Sequence, residues 1–403
     1  MDDYSLKRRP LKVLTVFGTR PEAIKLAPVI KELQRRSEQG YLQSSVCVTG
    51  QHRQMLDQVL RLFGIVPDFD LNVMKANQSP AYVAAAVLTK LTEVLEAQQP
   101  DWVLVQGDTA TAAAAALAAF YARARVGHVE AGLRSGDKWQ PFPEEINRRV
   151  AGAIADLHFA PTDCSRANLL HEGVRPECIL VTGNPVVDDL HWVVCQIEQG
   201  DMEDYRSEGL ELLRVASPET RVVLVTAHRR ENFGPPFEQV CLGIRDLALR
   251  YSQKLLIVYP VHPNPNVCQP AHRMLGGIGN VLLLPPLDYL PLVYLLSRCY
   301  LVLTDSGGIQ EEAPGLGKPV LVLRDVTERP EGVDAGTVRL VGTSRERIVA
   351  EATRLLDDSA EYERMARAVN PYGDGRAAYR IVGALLGEEV SQFRSQAGLA
   401  IAG

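Results

Sequence analysis

From residue 11 onward the chain alternates between short, nearly continuous apolar runs and longer stretches whose apolar positions recur at helical spacing. Residues 11–17 (LKVLTVF), 45–49, 102–105, 126–129 and 179–182 read as strands in the first half. Residues 222–226, 255–259, 281–284, 300–304 and 320–323 do so in the second. Runs without polar alternation are what strands buried on both faces of a parallel sheet require. Helical patterns lie between them, as at 21–33 and in the alanine-rich stretch 110–122. Strand and helix in alternation predict doubly wound parallel sheets, and two sets of about five or six strands predict two of them. The polar segment 196–219, with seven acidic residues, separates the sets and reads as a helix beside a linker, with a hinge near Gly183-Asn184-Pro185. Residues 377–386 read as a final helix and 397–403 as a frayed tail.

A length of 403 residues exceeds one compact core and agrees with two domains. Hydrophobic residues at 46% and charged residues at 23% describe a globular chain. The net charge of −6 leaves no electrostatic footprint for nucleic acid or an anionic membrane, so an anionic ligand would need a local cluster of cations. The seven cysteines are scattered, no two closer than 14 positions, which is neither a disulfide framework nor a zinc spacing. The run 11–17 is too short for a signal sequence, and nothing approaches the roughly 20 apolar residues of a membrane span. The expected compartment is the cytoplasm.

Ligands of open α/β sheets bind beyond the carboxyl ends of the strands, so the residues that follow each strand carry the chemistry. Gly18-Thr19-Arg20-Pro21-Glu22 with Lys25 follows the first strand and opens a helix, whose unpaired N–H groups suit an anion. Its bland alternative is an ordinary strand-to-helix turn with two solvated cations. Gln106-Gly107-Asp108-Thr109 and His128-Val129-Glu130 follow two further strands and would place Asp108 and Glu130 at neighbouring strand ends. Neighbouring carboxylates push one pKa up, which suits acid–base work. Asp108 could equally cap the following helix, whereas Glu130 has no such structural explanation. Glu144 and Glu145 open another helix after a proline-rich loop, where capping alone would account for them.

In the second half, Ala227-His228-Arg229-Arg230 closes a strand with a histidine beside two arginines, a better setting for proton transfer than a lone histidine has. His262 ends the next strand. Thr304-Asp305-Ser306-Gly307-Gly308 opens a helix with small residues that let backbone N–H groups approach a phosphate. Glu312 stands about a turn inside that helix, and Arg324 and Arg329 supply positive charge for a diphosphate. These turns carry no dinucleotide fingerprint, Walker loop, nucleophile elbow or metal-ligand cluster. The residues alone thus describe a two-domain α/β enzyme with an anion site in each domain.

The motifs FGTRPEAIKLAPVI, TGQHRQML, VQGDTATA, HVEAGLRSGD, PFPEEINRR, TGNPVVD, TAHRREN, PVHPNPNV, TDSGGIQEEAP, RDVTERPE and AGTVRLVG run in order from Phe17 to Gly342. Together with Pro371-Tyr372-Gly373-Asp374-Gly375 near the end, the set resembles the non-hydrolysing UDP-N-acetylglucosamine 2-epimerase family. The resemblance implies a glycosyltransferase-B type fold, with two Rossmann-like domains facing a cleft, and a homodimer. The domains would be 1–185, completed by 377–403, and 186–376. It implies epimerisation of UDP-GlcNAc to UDP-ManNAc by elimination of UDP and its re-addition, with no cofactor and no metal. It implies Asp108, Glu130, Glu144 and His228 as catalytic groups. Substrate contacts would come from Arg20, Lys25, His262, Ser306, Gly307, Gly308, Glu312 and Arg329. Leu287 and Leu292 stand where some family members carry contacting side chains, so here only their backbone could serve. Gln51, His52 and Gln54 match a segment that in some members binds a second, activating UDP-GlcNAc. The alternatives are a hydrolysing 2-epimerase that releases free sugar and a glycosyltransferase of the same fold.

Overall fold

The computed structural model describes residues 9–51, 53–75, 78–200 and 219–394, with residue 54 described by its backbone alone. Two parallel sheets form. The first takes β1 (Leu11–Phe17), β2 (Leu42–Val48), β3 (Phe69–Asp70), β4 (Trp102–Gln106), β5 (Arg125–Val129), β6 (Leu157–Ala160) and β7 (Ile179–Val181) in the order β3-β2-β1-β4-β5-β6-β7. The second takes β8 (Arg221–Thr226), β9 (Leu255–Pro260), β10 (Val281–Leu284), β11 (Leu301–Thr304), β12 (Val320–Val322) and β13 (Val338–Leu340) in the order β10-β9-β8-β11-β12-β13. Each order reverses once, between β1 and β4 and between β8 and β11, and those reversals are where doubly wound sheets bind ligands. Both sheets are thus Rossmann-like, the α/β class of glycosyltransferase-B type folds.

The ten runs expected as strands all lie on strands. Three strands escaped the pattern, each for a reason of length or composition. β3 is two residues long, β6 (LHFA) carries a histidine, and β13 (VRL) alternates around an arginine. The expected helices at 21–33 and 110–122 appear as Arg20–Glu38 and Ala110–Tyr121, and the last as Ala377–Leu385.

Helix packing follows from side-chain size. In Pro80–Gln98 the buried residues Val83, Val87, Leu91 and Leu95 recur every four positions and make one stripe. The neighbouring helix Ala110–Tyr121 answers with buried Ala112, Ala115, Ala116 and Ala119, small enough for close approach. Each sheet has its own apolar core, one around Leu14, Val103 and Val105 and the other around Val223, Ile257 and Leu303.

The chain divides into two compact units, the first ending at Asp189 and regaining Gly373–Arg394, the second running Leu190–Tyr372. The division falls inside the helix Pro185–Gln199, where a hinge was expected at 183–185. The reason is local: Gly183 has φ +81° and Pro185 is the first helical residue, so this turn signal starts a helix that carries the chain onward. Of the segment 196–219, residues 201–218 lie outside the described residues, as does the tail 397–403. The return of the last helix to the first unit is secured by polar contacts. Asp188 accepts the N–H groups of Ala377 (3.1 Å) and Ala378 (2.8 Å) at its start, and Arg380 donates to the Thr182 carbonyl at 3.0 Å.

His128 on β5 and His158 on β6 stand opposite one another in register, and burial pushes both down to about 4. A histidine that refuses a proton when folded and accepts one near 6.5 when unfolded weakens the fold in acid. Stability should therefore be full above pH 6.5 and fall as the pH drops toward 4, by up to about 3 kcal/mol per histidine. Replacing His158 with Phe should remove about one proton from the uptake on unfolding at pH 5, read from the pH dependence of urea denaturation. An unchanged slope would contradict this account.

Candidate active site

In the first unit, the carboxyl ends of β1, β4 and β5 converge with the start of Pro185–Gln199 on one carboxylate. Glu130 is 7% exposed and sits at φ +61°, a backbone conformation that costs a non-glycine residue about 1–3 kcal/mol and is met chiefly at functional sites. Lys25 donates to its Oε1 at 2.5 Å, and Asn184 Nδ2 donates to the same oxygen at 2.8 Å. Gln106 Nε2 donates to Oε2. One cation and two amides thus hold a buried anion, the condition under which a charge can be kept from water.

Asp108 lies on the adjoining turn, and its Oδ2 accepts from Arg148, which also reaches Glu145 at 3.3 Å. The two carboxylates expected as a pair therefore each answer a cation. Glu144 is half-buried, and its side chain meets no hydrogen-bond partner among the described residues. Its neighbour Glu145 is fully buried and accepts the Ser135 N–H at 3.1 Å, so the two glutamates have separate tasks.

The turn after β1 depends on glycine. A Cβ at Gly18 would come within 2.0 Å of Thr49 Oγ1 and 2.7 Å of Thr111 Oγ1. Glu22, buried one turn on, accepts the N–H groups of Gly18 (3.0 Å) and Thr19 (2.8 Å) and the hydroxyl of Thr109 (2.7 Å). Burial raises its pKa against those three bonds. Arg20 is partly exposed and makes no ion pair among the described residues, while Lys25, expected beside it as an anion-facing cation, is committed to Glu130. Gln51 accepts from Thr111 Oγ1 at 3.0 Å; His52 lies outside the described residues, and Gln54 is described by its backbone alone.

In the second unit the organiser is Asp305, which is completely buried. Its Oδ2 accepts the backbone N–H groups of His228 and Arg229, both at 2.8 Å, which fixes the turn after β8 against the end of β11. The His228 ring lies 3.7 Å from Asp305 Oδ1 and stacks on His262, centroids 5.5 Å apart. Burial lowers the His228 pKa, Asp305 opposes that, and His262 and Arg229 add to it. His228 is accordingly neutral near pH 7 and can exchange a proton.

The Ser306-Gly307-Gly308 turn leads into the short helix Ile309–Gly315, and Arg329 lies over it. A Cβ at Gly307 would stand 2.6 Å from the Arg329 guanidinium, so the glycine leaves room for the arginine in this position. Arg329 is oriented by buried Glu311 and by Glu328 at 3.4 Å. Arg324 pairs with Glu231 at 2.5 Å and Glu328 at 3.2 Å. Glu312 Oε1 lies close to Gly308, within 3.2 Å of a Cβ built there. His262 is exposed, and Leu287 and Leu292 are half-buried at the start of Tyr289–Arg298. Glu22, Gln106, Arg148, Asn184, Asp305 and Glu311 stand inside recognised motifs, but only the tertiary structure shows which groups they hold in place. Among the described residues, no group of three or more His, Cys, Asp or Glu is arranged to hold a metal, and no helix is long and apolar enough to cross a membrane.

A family model for UDP-N-acetylglucosamine 2-epimerase matches residues 31–386. The UDP-N-acetylglucosamine 2-epimerase of Escherichia coli strain K12 is 54% identical over 381 residues, which span 94% of this chain and 100% of that protein. The crystal structure of the Neisseria meningitidis UDP-GlcNAc 2-epimerase bound to UDP-GlcNAc aligns with a TM-score of 0.84 and 49% identity, covering 94% of this chain and 100% of the other. The Methanocaldococcus jannaschii enzyme in complex with UDP-GlcNAc and UDP aligns with a TM-score of 0.75 and 32% identity over 93% of this chain and 99% of the other. Sheet order, strand-end motifs and full-length similarity agree, and the chain belongs to the non-hydrolysing UDP-N-acetylglucosamine 2-epimerase family.

Proposed function

We propose that this protein interconverts UDP-N-acetylglucosamine and UDP-N-acetylmannosamine in the cytoplasm, as a homodimer and without a cofactor. The observation that carries the reading is Glu130, a buried carboxylate on a left-handed backbone at a strand end, ringed by Lys25, Gln106 and Asn184. A site that holds a strained, charged group in place is built for its reaction rather than for stability.

In the proposed cycle a carboxylate removes the C2 proton as the C1–oxygen bond breaks and its electrons leave with UDP. The products are 2-acetamidoglucal, UDP and a protonated side chain. UDP then re-adds at C1 while a second acid delivers a proton to the opposite face of C2. Two groups of opposite duty are needed, and Asp108, Glu130 and Glu144 are the carboxylates that supply them. Arg20 and Lys25 serve the substrate from the first unit, Lys25 through the carboxylate it holds. Ser306, Gly307, Gly308, Glu312 and Arg329 hold the nucleotide, with His228 and His262 at the sugar diphosphate and Leu287 and Leu292 contributing backbone. Arg329 suits a diphosphate because its planar fork is already oriented by Glu311 and Glu328, so little ordering cost remains. Gln51, His52 and Gln54 are assigned to a second, activating nucleotide sugar.

The dimer reading rests on exposed apolar side chains in the first unit. Ile146 and Val150 lie one turn apart on Glu144–Ile154, Trp139 stacks on Phe142 just before it, and Phe120 and Tyr121 end a helix that packs against it. Exposed apolar surface of this kind marks an interaction face.

Incubation with UDP-GlcNAc in deuterated water should place deuterium at C2 of the UDP-ManNAc formed and of recovered substrate. Oxygen-18 placed between C1 and the diphosphate should scramble into non-bridging positions, because that bond breaks and re-forms. Stoichiometric free sugar with UDP would mark a hydrolase. A C2 hydrogen that never exchanges, with turnover only when an acceptor is added, would mark a transferase. Either result would overturn the proposal.

A further inference from the structure

The Gln106-Gly107-Asp108-Thr109 turn is held by a side chain to which the mechanism above gives no task. His128, on β5 and 1% exposed, places Nε2 at 2.8 Å from the Gly107 carbonyl oxygen. A carbonyl only accepts, so Nε2 carries the hydrogen and the tautomer is fixed. Nδ1 is buried and meets no partner among the described residues, so this ring position makes no other hydrogen bond. The carbonyl that His128 holds belongs to the peptide joining Gly107 to Asp108. Fixing that plane fixes the direction in which the chain enters Asp108.

The other constraints on the turn agree. Gly107 has φ +68°, so the backbone there needs glycine, and its N–H donates to the Val129 carbonyl at 3.0 Å. Thr109, on the far side of Asp108, is tied by its hydroxyl to Glu22 at 2.7 Å. Asp108 is thus bracketed, with His128 before it and Glu22 after it. Glycine would otherwise leave this peptide the freest bond in the turn.

We propose that His128 is a positioning residue for Asp108, aiming its carboxylate by holding the Gly107–Asp108 peptide through Nε2–H; the inference rests on the reading of Asp108 as an acid–base group. The ring performs this task as a neutral donor. Burial keeps it unprotonated down to about pH 4, a tendency that Arg134 and Arg148 reinforce and Glu130 opposes, with His158 facing it from β6. A donor with one fixed hydrogen and no second partner holds the same geometry across the range in which an epimerase works.

The test compares H128Q, whose amide N–H reaches about as far as Nε2, with H128N, whose amide stops about where Nδ1 lies, and with apolar H128L. Turnover, KM and UDP affinity are measured for each full-length variant, with the fold checked by thermal melting. A small misplacement of a catalytic group costs about 100-fold in rate. H128N and H128L should therefore lose kcat on that scale while KM and UDP affinity stay near wild type, and H128Q should recover most of the loss. If H128L does not fold, the comparison of H128N with H128Q decides alone. Equal turnover in H128N and H128Q, whether both normal or both impaired, would overturn the positioning role. D108N with wild-type turnover would instead remove Asp108 from the chemistry, and this inference with it, whatever the His128 variants show.

Discussion

Burying a carboxylate costs several kcal/mol unless every oxygen is answered, and a left-handed backbone at a glutamate adds its own strain. Glu130 incurs both penalties, and much of the first unit is arranged to offset them. Lys25 reaches it from the first helix, Gln106 from the end of β4 and Asn184 from the start of the helix after β7. These three residues come from elements up to 105 positions away in the chain, so the fold must be complete before the anion is held. The switch in strand order between β1 and β4 brings two of them to Glu130's edge of the sheet.

The second unit solves a related problem with a different anion. Asp305 is completely buried, and two backbone N–H groups close the turn that carries His228 onto it. Nearby, two arginines meet three carboxylates: Arg324 pairs with Glu231 and Glu328, and Arg329 with Glu311 and Glu328. Such pairing orients the guanidinium groups, and these five side chains by themselves carry no excess positive charge. Gly307 matters because its missing Cβ is the space that Arg329 fills.

Ten strands are readable in the sequence because each carries a run of mostly apolar residues, and the site motifs are readable because most of them follow those strands. What it could not show was direction. Lys25 looks like a surface cation in a G-x-R-P turn, and only the tertiary structure turns it onto Glu130. Arg148 reads as a solvated helix residue until it meets Asp108 forty positions back. Asp305 sits in full view beside a glycine pair, yet its burial and its two backbone partners depend on β8 and β11 being neighbours. β3 was hidden because two residues carry too little pattern, and β6 and β13 because a histidine and an arginine interrupt their short apolar runs.

Glu130 is proposed as a reacting group held ready by its neighbours, and Glu130→Gln tests that role most directly. Glutamine keeps the shape but cannot take a proton, and general acid–base groups contribute about 100- to 10,000-fold. Solvent deuterium should then enter C2 slower by that factor while UDP affinity changes little, and the thermal midpoint should fall because Lys25 loses its buried partner. Exchange at C2 within a few-fold of the wild-type rate would contradict it.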